Sequence, residues 1–267
     1  MRCFSVPYHV IRISLFNRHR RGIVVLLTTC SLLVAHAGRA AVVCPGPSTV
    51  EGIDVSHFQG AVNWSQVAAS GVSFATALVS SGLVPDANFA TNYAGIKTAG
   101  LIRGAYQFFH PGQDPVAQAN LLLAATGSIG SGDLPPVLDI EVTDGLNASA
   151  IAASIQSWVT TVQNATGRTP LIYVAASFWN SSVGGNTAFS SNPLWAVNWG
   201  VSCPSLPGAW SNWVFWQYTG TGTVSGVSGQ VDRDKFNGTI DALRTFAGVA
   251  TVAVKPTTWG SIKAVYR

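Results

Sequence analysis

Histidine is nearly missing from this chain of 267 residues: of five in all, only His57 and His110 lie beyond residue 40. Two imidazoles are too few for a multi-histidine metal centre, and no HExxH run supplies one on a helix. No metal and no other cofactor is expected. No GxGxxG or GxxxxGK[S/T] run follows a candidate strand, which excludes the common dinucleotide and phosphate cradles. A GxSxG elbow is also missing, so the sequence carries no serine-hydrolase signature. Internal repeats and long low-complexity stretches are absent. Charge is sparse as well, with only 10% of residues Asp, Glu, Lys or Arg.

What charge there is sits unevenly. Arg2, Arg12, Arg18, Arg20, Arg21 and Arg39 fall in the first forty residues, which contain no acid. Without them nine Lys and Arg face eleven Asp and Glu, so the overall +4 becomes −2. The sequence pI near 9.0 is therefore no reason to expect a nucleic-acid partner. Basic residues 18–21 precede an apolar run, GIVVLLTTCSLLVA (22–35), followed by small-residue cleavage patterns at Ala35-His36-Ala37 and around Gly38-Arg39-Ala40. A run of 14 residues is short for a membrane span, which needs about 20. Residues 1–40 read as a secretion signal. A secreted, extracellular monomer with no lasting membrane anchor is expected. Two of the four cysteines leave with that segment. The remaining pair, Cys44 and Cys203, points to a disulfide in an oxidising compartment, with two free thiols as the alternative.

Residues 41–50 read as a linker, 51–248 as one catalytic barrel, and 249–267 as a tail without an assigned role. Within 51–248, apolar strand-like runs at 52–58, 72–79, 101–109, 136–141, 170–175, 194–199, 214–218 and 230–236 alternate with helical stretches at 63–70, 88–99, 115–125 and 148–165. Such alternation predicts a mainly parallel sheet with helical crossovers, and eight strands predict an α/β barrel of TIM type with its later helices reduced.

The chemistry concentrates in LPPVLDIE (134–141). Asp139 and Glu141 are two apart on a strand, so both face the same way, at the strand end where barrel enzymes build their sites. Two desolvated acids side by side repel, which predicts one raised pKa and one ionised partner. Asp54 in the first strand and Asp232 in the last would flank that pair once the barrel closes. Aromatic residues at strand ends, among them Tyr106, Trp195, Trp199, Trp216 and Tyr218, offer flat faces for sugar rings. His110, after the third strand, reads as a structural hydrogen-bonder rather than a proton shuttle.

Together GIDVSHFQG (52–60), AYQFFHP (105–111), LPPVLDIE (134–141) and WVFWQYTGTGTVSGVSGQVD (213–232) resemble glycoside hydrolase family 25, the lysozymes or muramidases. The resemblance spans about Gly52 to Phe246. It implies a flattened barrel of eight strands with about five helices, and hydrolysis of the β-1,4 bond between N-acetylmuramic acid and N-acetylglucosamine in peptidoglycan. It implies Glu141 as general acid, Asp139 assisting through the substrate's acetamido group, Asp54 and Asp232 as flanking acids, and Tyr106, Tyr173 and Trp216 in the cleft. Two departures stand out. A family run like IKATEG is here ALVSSG (77–82), which loses a Lys at Leu78 and a Glu at Ser81, and Gln107 stands where His is common. These losses keep alive a weakly catalytic, lectin-like wall-binding barrel, and a hydrolase of another N-acetylhexosamine polymer such as chitin.

Overall fold

The computed structural model describes residues 41–250; the expected signal segment and 251–267 of the expected tail lie outside the described residues. Nine strands, numbered in chain order, form one sheet. Eight of them close on themselves: β1 (Thr49–Val55), β2 (Phe74–Ser81), β4 (Ile102–Phe108), β5 (Val137–Asp139), β6 (Leu171–Ala175), β7 (Leu194–Val197), β8 (Phe215–Gly222) and β9 (Val231–Asn237), with β9 returning onto β1. The two-residue β3 (Val84–Pro85) only extends β2 as a hairpin. All neighbours from β1 through β8 run parallel, while β9 is antiparallel to both β8 and β1. The β8–β9 link is too short to hold a crossover, and only an antiparallel return fits such a link.

Five crossovers carry helices: α1 (Trp64–Ala69), α2 (Phe89–Thr98), α3 (Pro115–Thr126), α4 (Ala148–Thr166) and α5 (Ala176–Ser182); α6 (Ile240–Phe246) follows the last strand. Their starts are written locally. The side chains of Asn63, Asp114, Asn147 and Thr239 each accept a backbone N–H in the first turn, and Pro115 opens α3. The sequence predicts four of these helices; α5 and α6 are too short to show a periodic face. The first strand ends earlier than expected, at Val55. Ser56 there caps a 3-10 turn (His57–Gln59), and Gln59 accepts the Ser56 N–H at 2.9 Å in return, a reciprocal cap that stops the strand.

Strand parity divides the core in two. Outward residues such as Ile53, Ala105, Leu138, Val174 and Trp216 pack under the helices. Inward residues Phe74, Trp195, Phe215 and Phe236 stack edge and face with ring centroids 5.0–6.5 Å apart, and Leu243 and Ala247 join them at the base. Gly52 and Gly104 have no side chain to place in this narrow interior. A methyl on Gly52 would strike the Phe74 ring, and one on Gly104 would strike Thr76. The plug fills the lower barrel and leaves only the C-terminal mouth open.

Candidate active site

The site begins with alternation on seven strands. Asp54 on β1, Thr76 on β2, Tyr106 and Phe108 on β4, Asp139 on β5, Tyr173 on β6, Gln217 on β8 and Asp232 on β9 all point inward above the aromatic plug and line a cavity of about 250 Å3. A second hollow of about 550 Å3 adjoins it, walled by Phe178 of α5, Asn198 and Ser205. Glu141, Tyr173 and Trp199 belong to both walls. Glu141 therefore stands where two lobes of one cleft meet, two residues beyond the buried Asp139 and itself open to solvent.

A hydrogen-bonded chain braces the floor. Tyr173 OH and Trp199 Nε1 both donate to Gln217 Oε1 at 2.9 Å, and Gln217 Nε2 donates to Asp54 Oδ2 at 2.8 Å. Below it lies Asp234, fully buried; its Oδ1 accepts from Trp195 Nε1 at 3.1 Å. The other carboxyl oxygen of Asp234, Oδ2, has no hydrogen-bond partner among the described residues.

No Lys or Arg lines either lobe. The acids are thus desolvated with nothing cationic to hold them ionised, and every one of them moves up. Burial, then the charge of Asp232, pushes Asp54 up to about 8, against the hydrogen bond from Gln217. Burial and the charge of Glu141 push Asp232 up to about 6. Burial drives Asp139 well above the carboxylate range, with Glu141, Asp54 and Asp232 adding to it. Burial against the cleft walls raises Glu141 too, with the neighbouring Tyr173 hydroxyl opposing the shift. Asp234 is likewise held protonated by burial. The expectation of one raised and one ordinary acid gives way to a proton-sharing cluster, because desolvation acts on all of its members.

The structure brings together Asp54, Asp139, Glu141, Asp232, Tyr106, Tyr173 and Trp199. Trp216 and Tyr218 do not join them. They alternate with the inward Phe215 and Gln217, so both face outward. Trp216 is buried against Trp213 and donates to Asn198 O at 3.0 Å, while Tyr218 OH donates to Glu51 Oε2 at 2.8 Å. Gln217 and Asp234 are the residues that sequence reasoning missed. The period of two that pairs Asp139 with Glu141 also pairs Asp232 with Asp234, and it sets Gln217 opposite to its aromatic neighbours. Gln107, one of the departures, points away from the cleft. It is buried beneath α3 and α4, accepting from Trp158 Nε1 at 2.6 Å and donating to Ser80 Oγ at 2.8 Å. Cys44 and Cys203 form the expected disulfide, across a separation of 159 residues.

A barrel whose open end holds a two-lobed cleft of carboxylates and aromatic rings, with a raised-pKa acid at the junction, defines a glycoside hydrolase. The chain matches glycosyl hydrolases family 25 over residues 53–227 and belongs to that family. It is 42% identical over 212 residues to lysozyme M1 of Streptomyces globisporus, covering 75% of this chain and 72% of that one. It is 33% identical over 215 residues to the N,O-diacetylmuramidase of Chalaropsis sp, covering 74% and 99%. The crystal structure of the bacterial lysozyme from Streptomyces coelicolor superposes with a TM-score of 0.73 at 39% identity, over 77% of this chain and 100% of the other.

Proposed function

We propose that this glycoside hydrolase, a peptidoglycan-degrading enzyme of the lysozyme class, acts outside the cell as a monomer and cuts the β-1,4 bond between N-acetylmuramic acid and N-acetylglucosamine. The observation that carries the assignment of roles is the position of Glu141, raised in pKa and exposed where the two lobes meet. A glycan threaded through both lobes presents its scissile oxygen there, and Glu141 supplies the proton that releases the leaving sugar. Asp139 is buried one strand-step deeper, and its Oδ1 has no hydrogen-bond partner among the described residues. An N-acetyl group entering the smaller lobe would satisfy that oxygen with its N–H, which turns the acetamido carbonyl toward the anomeric carbon. Asp54 and Asp232 keep the floor acidic and hold protons for the cluster, while Tyr106, Tyr173 and Trp199 bound the sugar rings. Secretion is supported by the arginines and apolar run of residues 1–40 and by a disulfide, which persists in oxidising compartments.

The test is loss of turbidity of a bacterial wall suspension with the purified protein beside Glu141→Gln. Clearing with new reducing ends by the wild type, and a drop of about 100-fold or more in the variant, is the expected result. A folded wild type that binds the wall yet never clears it would reassign the barrel as a wall-binding lectin, the reading that the missing cation at Leu78 favours.

A further inference from the structure

On the rim of the cleft stands a second constellation that the glycosidase chemistry does not use. Ser81 ends β2, exposed, with its Oγ 3.3 Å from His110 Nε2. The other imidazole nitrogen, Nδ1, lies 3.0 Å from Asp144 Oδ1. The tautomer that satisfies both contacts donates Nδ1–H to Asp144 and leaves Nε2 to accept the Ser81 hydroxyl proton. Asp144 is held for this: its second oxygen accepts the Gly112 N–H at 3.0 Å, and it has a left-handed backbone (φ 48°), unlike every other non-glycine residue among those described. The side-chain amide of Gln113 lies against Gly82, next to Ser81, and its oxygen accepts from Leu83 N at 3.0 Å, which leaves its NH2 for a developing oxyanion.

We propose that Ser81, His110 and Asp144 form an acyl-transfer site that removes acetyl esters from sugar hydroxyls of a polysaccharide lying in the cleft. Triads are recognised by geometry and not by a local sequence signature, so the missing GxSxG run does not count against this one. Placement selects the substrate class. Ser81 pairs with Phe108 and Phe108 with Asp139, so two strand spacings, about 10 Å, separate the serine from the glycosidase floor. Phe108 lines the cleft between them. An ester on a neighbouring sugar of the same bound chain comes within reach of Ser81. That the ester is carried by wall glycan rests on the muramidase reading; the ester chemistry does not.

In the first step Ser81 Oγ bonds to the acetyl carbon as its proton passes to His110 Nε2. The bond from that carbon to the sugar oxygen breaks, and His110 returns the proton to the departing sugar hydroxyl. Water, deprotonated by His110, then cleaves the acetyl-Ser81 ester, releasing acetic acid and restoring Ser81. Ester and water become alcohol and acid, with no further reactant.

The purified protein should hydrolyse 4-nitrophenyl acetate and release acetate from O-acetylated wall polysaccharide. Ser81→Ala should lose about 100-fold or more of both while still clearing the wall, and Asp144→Asn, which leaves the serine in place, should fall with it. No release by the wild type above the buffer rate, or equal release by Ser81→Ala, overturns the proposal. Failure of the glycosidase reading would show separately, as wild type that does not clear, since 4-nitrophenyl acetate needs no wall.

Discussion

Replacing Asp234 with Asn should make the barrel more stable, and increasingly so as pH rises. Asp234 is fully buried, and burial holds its carboxyl protonated far above the usual range. Asn keeps the same shape and can still accept from Trp195 Nε1. It lacks only the capacity to ionise. The sign follows from linkage. A carboxyl whose folded pKa exceeds its unfolded value binds more protons in the native state, so its contribution is complete below about pH 4 and is lost as pH rises through the folded value. Asp232, pushed up to about 6, spends that contribution between about pH 4 and 6; Asp54, pushed up to about 8, between about pH 4 and 8. Each group gives at most about 1.4 kcal/mol per pH unit within its window, or roughly 3–5 °C of melting temperature for a domain of this size. Melting curves of wild type and Asp234→Asn from pH 4 to 8 should coincide near pH 4 and separate above it, the gap in favour of the variant widening by at most roughly 3–5 °C per pH unit. A variant less stable than wild type at pH 8, or a gap independent of pH, would refute the shared-proton account of the floor.

Two further outcomes follow from the walls. Trp199 is 55% exposed and borders both lobes, so Trp199→Ala should raise KM for a soluble wall oligosaccharide roughly 5–10-fold, the worth of one aromatic face. Its kcat and melting temperature should change little, and an unchanged KM would remove Trp199 from the cleft. Cys44→Ser opens a bridge spanning 159 residues and should cost roughly 2–5 kcal/mol, measured by urea unfolding against the oxidised wild type, with reductant-treated wild type matching the variant. An equal midpoint for variant and oxidised wild type would mean that the bridge does not form.

The barrel was legible because continuous apolar runs, buried on both faces, alternate with helical stretches, and because the sequence places acids in the first, fourth and last of those runs. The strand period of two, applied only to Asp139 and Glu141, would have found Asp234 from Asp232 and turned Trp216 and Tyr218 outward. These two were misplaced because an aromatic residue at a strand end is equally at home under a helix, and composition alone does not reveal parity. Gln217 was hidden for a different reason. An amide has no pKa to perturb and no motif of its own, and its importance lies in four hydrogen-bond sites that only the closed barrel brings to Tyr173, Trp199 and Asp54. The Ser81–His110–Asp144 contact joins the ends of two strands to the loop beyond a third, so no spacing in the sequence could announce it.

The exchange at Leu78 and Ser81 ties these observations together. Leu78 is buried in register with Tyr106, at the level where a cation would have neutralised the floor. With an apolar side chain there, no cation offsets the desolvation of the acids, and Asp54, Asp139, Glu141 and Asp232 all move up. Under the proposed roles, a cluster that stores protons keeps Glu141 in the acid form that it would deliver. The cost falls on Asp139, whose carboxylate is harder to generate without a counter-ion. In the proposed reaction, an N–H from the substrate's acetamido group would reach the unpartnered Oδ1 and lower that pKa on binding, coupling ionisation of Asp139 to the presence of an N-acetylated sugar. Under that proposal, discrimination for N-acetylhexosamines would come from the electrostatics of the floor as well as from its shape.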